Sequence, residues 1–240
     1  MKAIIIGNGL AGTIAAKTLR ELDLQVEVVV LAEEKYPYYP RPNLIEYIAG
    51  KLPYERIFAF SEEWHVRQKI DVRLGTAVRK IHTRSREVEL DGGRRESYDV
   101  LLIANGSSSF VPPIKGADKP GVFALRTLED AKAIIDHVQN HRRVVIIGGG
   151  LLGLEIARAI RSLGAEVEVV EFFDRLLPRQ LDAQGAALLR SQIEALGIRV
   201  RLGFTTEEIL GSKEVQGIRL KDGADLSADM AVIAAGVRPN

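Results

Sequence analysis

Two glycine triplets are the residues in this chain whose type and spacing point most directly to chemistry. Gly7-Asn8-Gly9-Leu10-Ala11-Gly12 follows the apolar run Ala3-Ile4-Ile5-Ile6, and Gly148-Gly149-Gly150-Leu151-Leu152-Gly153 follows Val144-Val145-Ile146-Ile147. In each, the first glycine permits a tight turn off a strand and the second lets backbone approach a pyrophosphate. The third lets the next helix pack closely on the sheet. The diphosphate would then lie on unpaired N–H groups at the positive end of that helix. One such triplet is weak evidence in an α/β chain, whereas each copy here sits between an apolar strand and a predicted helix, Ala11 to Glu21 and Leu151 to Leu163.

Acids complete the pattern. Residues 25–31 run into Glu33-Glu34, with Glu34 twenty-two positions after Gly12, and residues 165–170 run into Glu171, eighteen after Gly153. Both offsets suit a carboxylate that accepts hydrogen bonds from a ribose diol. A carboxylate there would repel a 2′-phosphate, so Glu171 favours a dinucleotide with a free 2′-hydroxyl, with Arg175 four residues on to soften that preference.

Composition excludes several other chemistries. The 240 residues include no cysteine, which rules out a redox-active thiol pair or a peroxidatic thiolate. The basic and acidic counts, 33 and 32, leave no global field for nucleic acid or an anionic membrane. His137 and His141 are four apart but lack the intervening Glu of a zincin helix, so they read as a surface pair, and no metal is expected. Ser107-Ser108-Ser109 reads as a loop cluster rather than a nucleophile elbow. The N-terminus is too short for a signal h-region and no stretch reaches membrane-spanning length, so the expectation is a soluble, cytoplasmic chain.

The elements that must position these residues repeat. After strand, helix and strand come a Tyr/Pro loop over 35–42 and short helices over 43–49 and 62–68. A β-meander is predicted over 70–74, 77–82 and 87–90, then an apolar strand, Val100 to Ala104, ending at Asn105-Gly106. Residues 111–121 are the best linker. A helix over 128–138 precedes the second copy, which continues with a helix over 183–196, short strands near 198–202 and 215–220, and a last strand over 230–234. Residues 98–106 resemble residues 228–236, so the chain reads as an internal duplication.

With those residues in view, the chain resembles the pyridine nucleotide-disulfide oxidoreductases, the two-dinucleotide flavoproteins. The likeness is carried by Gly7/Gly9/Gly12, Glu34, Tyr39 through Leu44, Ala104-Asn105-Gly106, Leu125-Arg126-Thr127 and Gly148/Gly150/Gly153 with Leu154-Glu155. It extends through Leu177 to Asp182 and Gly236-Val237-Arg238-Pro239-Asn240. The cysteine-free branch that serves rubredoxin or ferredoxin, or forms the flavin part of nitrite reductase large subunits, is the most similar.

The resemblance implies an α/β fold of two Rossmann-like domains, FAD-binding over 1–112 and NAD(H)-binding over 113–240. Each would be a parallel sheet with helices and a small antiparallel β-meander. It implies FAD and NADH as cofactors, and an electron-carrier protein or small acceptor as partner, with oligomeric state open. Gly7, Gly9, Leu10, Ala11 and Gly12 would cradle the FAD diphosphate, Glu34 its adenosine ribose, and Ala77-Val78 its adenine. Arg41-Pro42 would approach the diphosphate and flavin side, and Ala104-Asn105-Gly106, Arg126 and Gly236 fall at further cofactor-binding positions. Gly148, Gly150, Leu151, Leu152, Gly153 and Glu171 would hold NADH.

Glu155 is the candidate near the nicotinamide, with a helix-dipole role as its alternative. Two departures stand out: Glu46 replaces a lysine that related ferredoxin reductases place near the flavin, and Asn105 replaces a threonine. The family's return segment to the FAD domain is absent after Asn240, which leads to the expectation of a truncated chain with weak or no FAD retention. A non-catalytic adenine-dinucleotide-binding module is the alternative function.

Overall fold

The computed structural model describes residues 1–240, Glu62 through its backbone alone. The first part of the chain forms β1 (Lys2–Ile6), α1 (Leu10–Leu22), β2 (Glu27–Leu31), α2 (Asn43–Ile48), α3 (Glu62–Arg67), β3 (Ile70–Arg73), β4 (Val78–His82), β5 (Glu87–Leu90), β6 (Arg95–Ser97), β7 (Val100–Ile103) and β8 (Ser107–Ser109). The remainder forms β9 (Val122–Phe123), α4 (Leu128–Asn140), β10 (Arg143–Ile147), α5 (Leu151–Ser162), β11 (Glu166–Glu171), α6 (Ala183–Ala195), β12 (Ile198–Leu202), β13 (Thr206–Leu210), β14 (Gly217–Leu220), β15 (Asp225–Ser227), β16 (Met230–Ile233) and β17 (Val237–Pro239). Met1–Pro40, Tyr54–Ser107 and Pro239–Asn240 pack as one compact unit, and Arg41–Pro53 with Ser108–Arg238 as another.

The first unit is built on a parallel sheet of order β3-β2-β1-β7. Its strands are apolar on both faces because both faces are covered. Ala3, Ile5, Val28, Val30 and Ile70 pack with Ala16 and Leu19 of α1 and with Trp64 of α3. Ile4, Val29 and Leu31 point the other way, onto Val88 and Leu90 of the antiparallel β4-β5-β6 sheet. The helix α1 ends where Arg20 turns back to donate to the carbonyls of Asp23, Leu24 and Lys69, at 3.3, 2.9 and 2.8 Å, supplying donors to the chain just past the helix end.

The second unit repeats the plan with one strand more, order β12-β11-β10-β16-β9, all parallel. Val145, Ile147, Val170, Ala231 and Ile233 cover Ile209, Ile218, Leu220 and Leu226 of the antiparallel β13-β14-β15 sheet. The short α2 belongs to this unit and packs on α4 and α5.

The duplication extends to individual hydrogen bonds. Gly7 N–H donates to Leu31 O and Gly148 N–H to Val170 O, both at 2.8 Å; Ala104 N–H to Ile6 O and Ala234 N–H to Ile147 O, both at 2.8 Å. Asp99 and Asp229 each clasp the start of the strand that leads into the glycine turn of their unit, Asp99 through Lys2 N and Asp229 through Arg143 N. The copies differ at β7 and β16. β16 is buried along its length beside β9, whereas β7 is an edge on which Val100, Leu102 and Ile103 are exposed.

Three details differ from the sequence reading. Residues 70–73 are a parallel edge strand of the main sheet, because Ile70 and Val72 join the helix-side core, and the meander gains Arg95–Ser97 instead. Ser107–Ser109 is a short strand paired with Val237–Pro239 rather than a loop, and a strand not expected from the sequence, Val122–Phe123, directly follows the linker. His137 and His141 are half-buried, stacked with ring centroids 3.8 Å apart, and each ring bonds a backbone carbonyl, so they are packing residues rather than a solvated pair.

Candidate functional site

Each glycine turn is shaped by what its neighbours forbid. A Cβ on Gly7, at φ 106°, would stand 2.2 Å from Ala104 O, and one on Gly148, at φ 116°, 2.6 Å from Ala234 O. A Cβ on Gly12 or Gly153 would lie 1.9 or 2.0 Å from the carbonyl oxygen of Gly7 or Gly148. The middle positions are the opposite case. Around Gly9 and Gly150 nothing lies within 4 Å of an added Cβ, so open space faces the backbone where a diphosphate would approach.

The helix starts add a second observation. Thr127, Asp182 and Ser61 cap α4, α6 and α3 with side-chain oxygens, and Thr127 forms a full capping box with Asp130. α1 and α5 begin at Gly9 and Gly150 with no side-chain cap. Their first-turn N–H groups and positive dipole ends therefore stand beside open space flanked by exposed Leu10, Ala11, Leu151 and Leu152. The residues present fit an anionic diphosphate at both turns.

In the first unit, Glu34 follows β2 and its carboxylate accepts from the Tyr39 hydroxyl. Gly75 N–H donates to Glu34 O and Thr76 N–H to Ala32 O, at 3.0 and 2.6 Å, which brings Ala77 and Val78 alongside the acid. Ala104 roofs Gly7, while Asn105 O accepts from Asn240 Nδ2 at 2.7 Å and Gly106 O from Asn240 N at 3.2 Å. Arg41 and Pro42 fall in the second unit, where Arg41 Nη1 donates to Arg126 O at 2.8 Å.

In the second unit, Glu171 is 7% exposed, and both its oxygens are engaged: Oε2 accepts from Gly149 N–H at 2.5 Å and Oε1 from Phe173 N–H at 2.9 Å. A carboxylate has about four lone-pair sites, so acceptor capacity remains for a ribose hydroxyl. Glu155 lies beyond the first turn of α5, where the dipole is weaker, and pairs with Arg158 at 3.2 Å. Gly236, at φ 107°, accepts through its carbonyl from Phe110 N–H at 2.9 Å.

Sequence reasoning missed Gly149, whose N–H anchors Glu171, and Arg158, whose Nη2 also reaches Glu46 at 2.8 Å. The i,i+3 spacing of Glu155 and Arg158 was a readable signal for the latter pair. Two carboxylates hold the Arg158 guanidinium above its ordinary pKa, Glu46 by hydrogen bonding most of all. Among the described residues, no three His, Cys, Asp or Glu side chains gather to hold a metal, and no helix is long and apolar enough to cross a membrane.

Two Rossmann-like units, each with a glycine turn, an uncapped helix and a strand-end acid, define a paired dinucleotide fold. The chain belongs to the pyridine nucleotide-disulphide oxidoreductase family, whose pattern matches residues 1–240. It is 35% identical over 238 residues to a nitrite reductase [NAD(P)H] of Bacillus subtilis, covering 99% of this chain and 30% of that protein. It is 36% identical over 249 residues to an NADH oxidase of Methanocaldococcus jannaschii, covering 100% of this chain and 55% of that one. The crystal structure of a ferredoxin reductase from Rhodopseudomonas palustris superposes with a TM-score of 0.94 at 29% identity, over 100% of this chain and 59% of that one. The chain thus spans 30% to 59% of the length of these relatives.

Proposed function

We propose that this chain is the dinucleotide-binding part of an FAD-dependent NADH:acceptor oxidoreductase, with FAD on the first unit and NADH on the second. The observation that carries the reading is the pair of uncapped helix starts at Gly9 and Gly150, each facing open space, in units that also carry an acid at the next strand, Glu34 just past β2 and Glu171 at the end of β11. Gly7, Gly9 and Gly12 with Leu10 and Ala11 hold the FAD diphosphate, Glu34 orients its ribose, and Ala77-Val78 flank its adenine. Ala104-Asn105-Gly106 bound the same cradle. Gly148, Gly150 and Gly153 with Leu151 and Leu152 hold the diphosphate of NADH, and Glu171 accepts from its adenosine ribose. Arg41, Pro42, Arg126 and Gly236 are further cofactor contacts, and Glu155 orients the nicotinamide end.

When both cofactors are bound they supply hydride transfer from nicotinamide to flavin, followed by release of electrons to an acceptor. The chain's own task is position and electrostatics: donors aimed at diphosphates, carboxylates aimed at ribose, and apolar Leu151 and Leu152 to shed water at the helix start. These 240 residues supply no thiol to a relay, because they include no cysteine. The acceptor is an electron-carrier protein of the ferredoxin or rubredoxin kind, or a small oxidant, and the setting is cytoplasmic.

NADH is preferred over NADPH because the buried Glu171 carboxylate opposes a 2′-phosphate. The measurement that tests the whole reading is NADH-driven ferricyanide reduction by the purified chain, with and without added FAD, beside the flavin absorbance of the protein. FAD-dependent turnover supports the enzyme. Nucleotide binding with no turnover under any flavin loading would instead make the chain a non-catalytic adenine-dinucleotide module.

A further inference from the structure

The chain contains two Asn-Gly pairs, Asn8-Gly9 and Asn105-Gly106, and both fall on the glycine cradle of the first unit. Asparagine before glycine is a reactive pair. With no Cβ to shield it, the glycine nitrogen can reach the side-chain amide carbon of the residue before it, which makes such an asparagine thermolabile.

The fold treats the two pairs oppositely. Asn8 is half-buried, its Oδ1 accepts from Thr13 Oγ1 at 3.1 Å, and its Nδ2 is sealed from solvent. Gly9 is held as well, because its carbonyl accepts from Thr13 N–H at 2.9 Å where α1 opens. Asn105 and Gly106 are both exposed, and Gly106 sits at φ 69°. Asn240 grips their two backbone carbonyls and leaves the Asn105 side chain to solvent. Asn105 is nonetheless close to the cradle. Ala104 N–H donates to Ile6 O at 2.8 Å, and Asn105 Cα stands 3.2 Å from where a Cβ of Gly7 would be. A change of charge or backbone length at Asn105 is therefore felt at the first glycine turn.

We propose that Asn105 is a self-modification site, which deamidates through a succinimide with Gly106, and that the carboxylate so formed weakens the hold of the first unit on FAD; the second half rests on the reading of that unit as the FAD site. The Gly106 nitrogen bonds to Asn105 Cγ, the Cγ–Nδ2 bond breaks, and Nδ2 leaves as ammonia with the Gly106 amide proton. Water then opens the five-membered ring. Attack at Cγ gives aspartate, and attack at the Asn105 backbone carbonyl carbon gives isoaspartate, which routes the chain through Cβ and lengthens it by one atom. The net change is amide plus water to carboxylate plus ammonia, with no oxidant or reductant consumed. Either product places a negative charge beside the anionic diphosphate.

The test holds the purified 240-residue chain at mildly acidic and mildly alkaline pH, maps its peptides by mass spectrometry over time, and titrates the same samples with FAD by flavin fluorescence. The Asn105 peptide should gain the mass by which –OH exceeds –NH2, faster in alkali because the attacking nitrogen must shed its proton. The Asn8 peptide should stay unchanged; it is the internal control, since an unfolded chain would convert both. As conversion completes, the Kd for FAD should rise about tenfold, the effect of one like charge at close range. Asn105→Thr, whatever its starting affinity, should show no drift over the same time, and Asn105→Asp should be weakened from the outset. An unconverted Asn105, or conversion of Asn8 at the same rate, would overturn the site. Full conversion with FAD affinity intact would overturn the effect on the cradle and leave the FAD reading standing. A fresh, folded chain that binds no FAD would overturn that reading and the second half of the proposal with it, while the peptide map still decides the first.

Discussion

Arg158 Nη2 lies 2.8 Å from Glu46 Oε1, tying α5, the helix that opens at the second glycine turn, to the short α2. The same nitrogen reaches Glu155, so one cation serves two carboxylates. The positive charge of this neighbourhood resides on α5.

Removing the shared cation sets two carboxylates against each other. Arg158→Gln should lower stability by about 0.5–1 kcal/mol, a modest figure because all three side chains are about a third or more exposed. A double-mutant cycle with Glu46→Gln, read by urea unfolding, should give a coupling energy in the same range. Zero coupling would mean that the ion pair holds nothing.

The glycine positions separate stability from binding. Gly7→Ala and Gly148→Ala force a Cβ to 2.2 and 2.6 Å from a backbone oxygen at positive φ, so both should unfold at lower denaturant, by about 2 kcal/mol or more. Gly9→Ala and Gly150→Ala meet no atom within 4 Å and have φ of −84° and −74°, so the fold should lose at most about 1 kcal/mol. Their cost falls on the ligand. Gly150→Ala should weaken NADH and Gly9→Ala should weaken FAD, each by about tenfold or more by blocking close backbone approach. Calorimetry and melting curves on the four variants check the split; ligand affinities unchanged in Gly9→Ala and Gly150→Ala would remove the cradles.

Glu171 combines a structural and a selective role. Glu171→Ala leaves the Gly149 N–H buried without an acceptor, a loss of about 1–3 kcal/mol. Arg175 bears on selectivity from the same turn: its Nε is buried with no hydrogen-bond partner, and its other contacts, to Asp174 and Pro178 O, are both long at 3.4 Å. A guanidinium so weakly engaged is available to a 2′-phosphate. Arg175→Ala should therefore raise the Kd for NADPH several-fold and leave that for NADH unchanged. A parallel change in both would show that Arg175 serves only the loop.

Most of the parallel framework was legible because its causes are local. Apolar runs such as Val144 to Ile147 and the glycines that follow them fix a strand, a turn and a helix within a dozen residues. The strand-end acids were found for the same reason, by counting. What escaped depended on contacts distant in sequence. Ile70 to Arg73 reads like any short alternating strand, and only its partner β2 decides that it joins the main sheet. Glu46 and Arg158 are 112 residues apart, and no property of either names the other. Phe172 and Phe173 lie just past Glu171, and only burial shows that both rings are left exposed there.

The clasp between Arg143 and Asp229 predicts how the second unit meets acid. Arg143 donates to Asp229 from its backbone N–H and its guanidinium, and this bonding holds the Asp229 carboxyl below the ordinary carboxylate range. The folded chain therefore binds fewer protons there than the unfolded chain between the two pKa values. The stabilisation is fully present above the unfolded value of about 3.9 and is lost as pH falls through the lower folded value. Asp229→Asn should destabilise the chain near neutral pH and flatten the pH dependence of unfolding below about pH 4. Its magnitude stays near that of a partly exposed ion pair, about 1 kcal/mol, since Arg143 is half exposed. Urea unfolding from acid to neutral pH measures the difference, and an unchanged acid slope in Asp229→Asn would mean that other carboxylates set the acid limit.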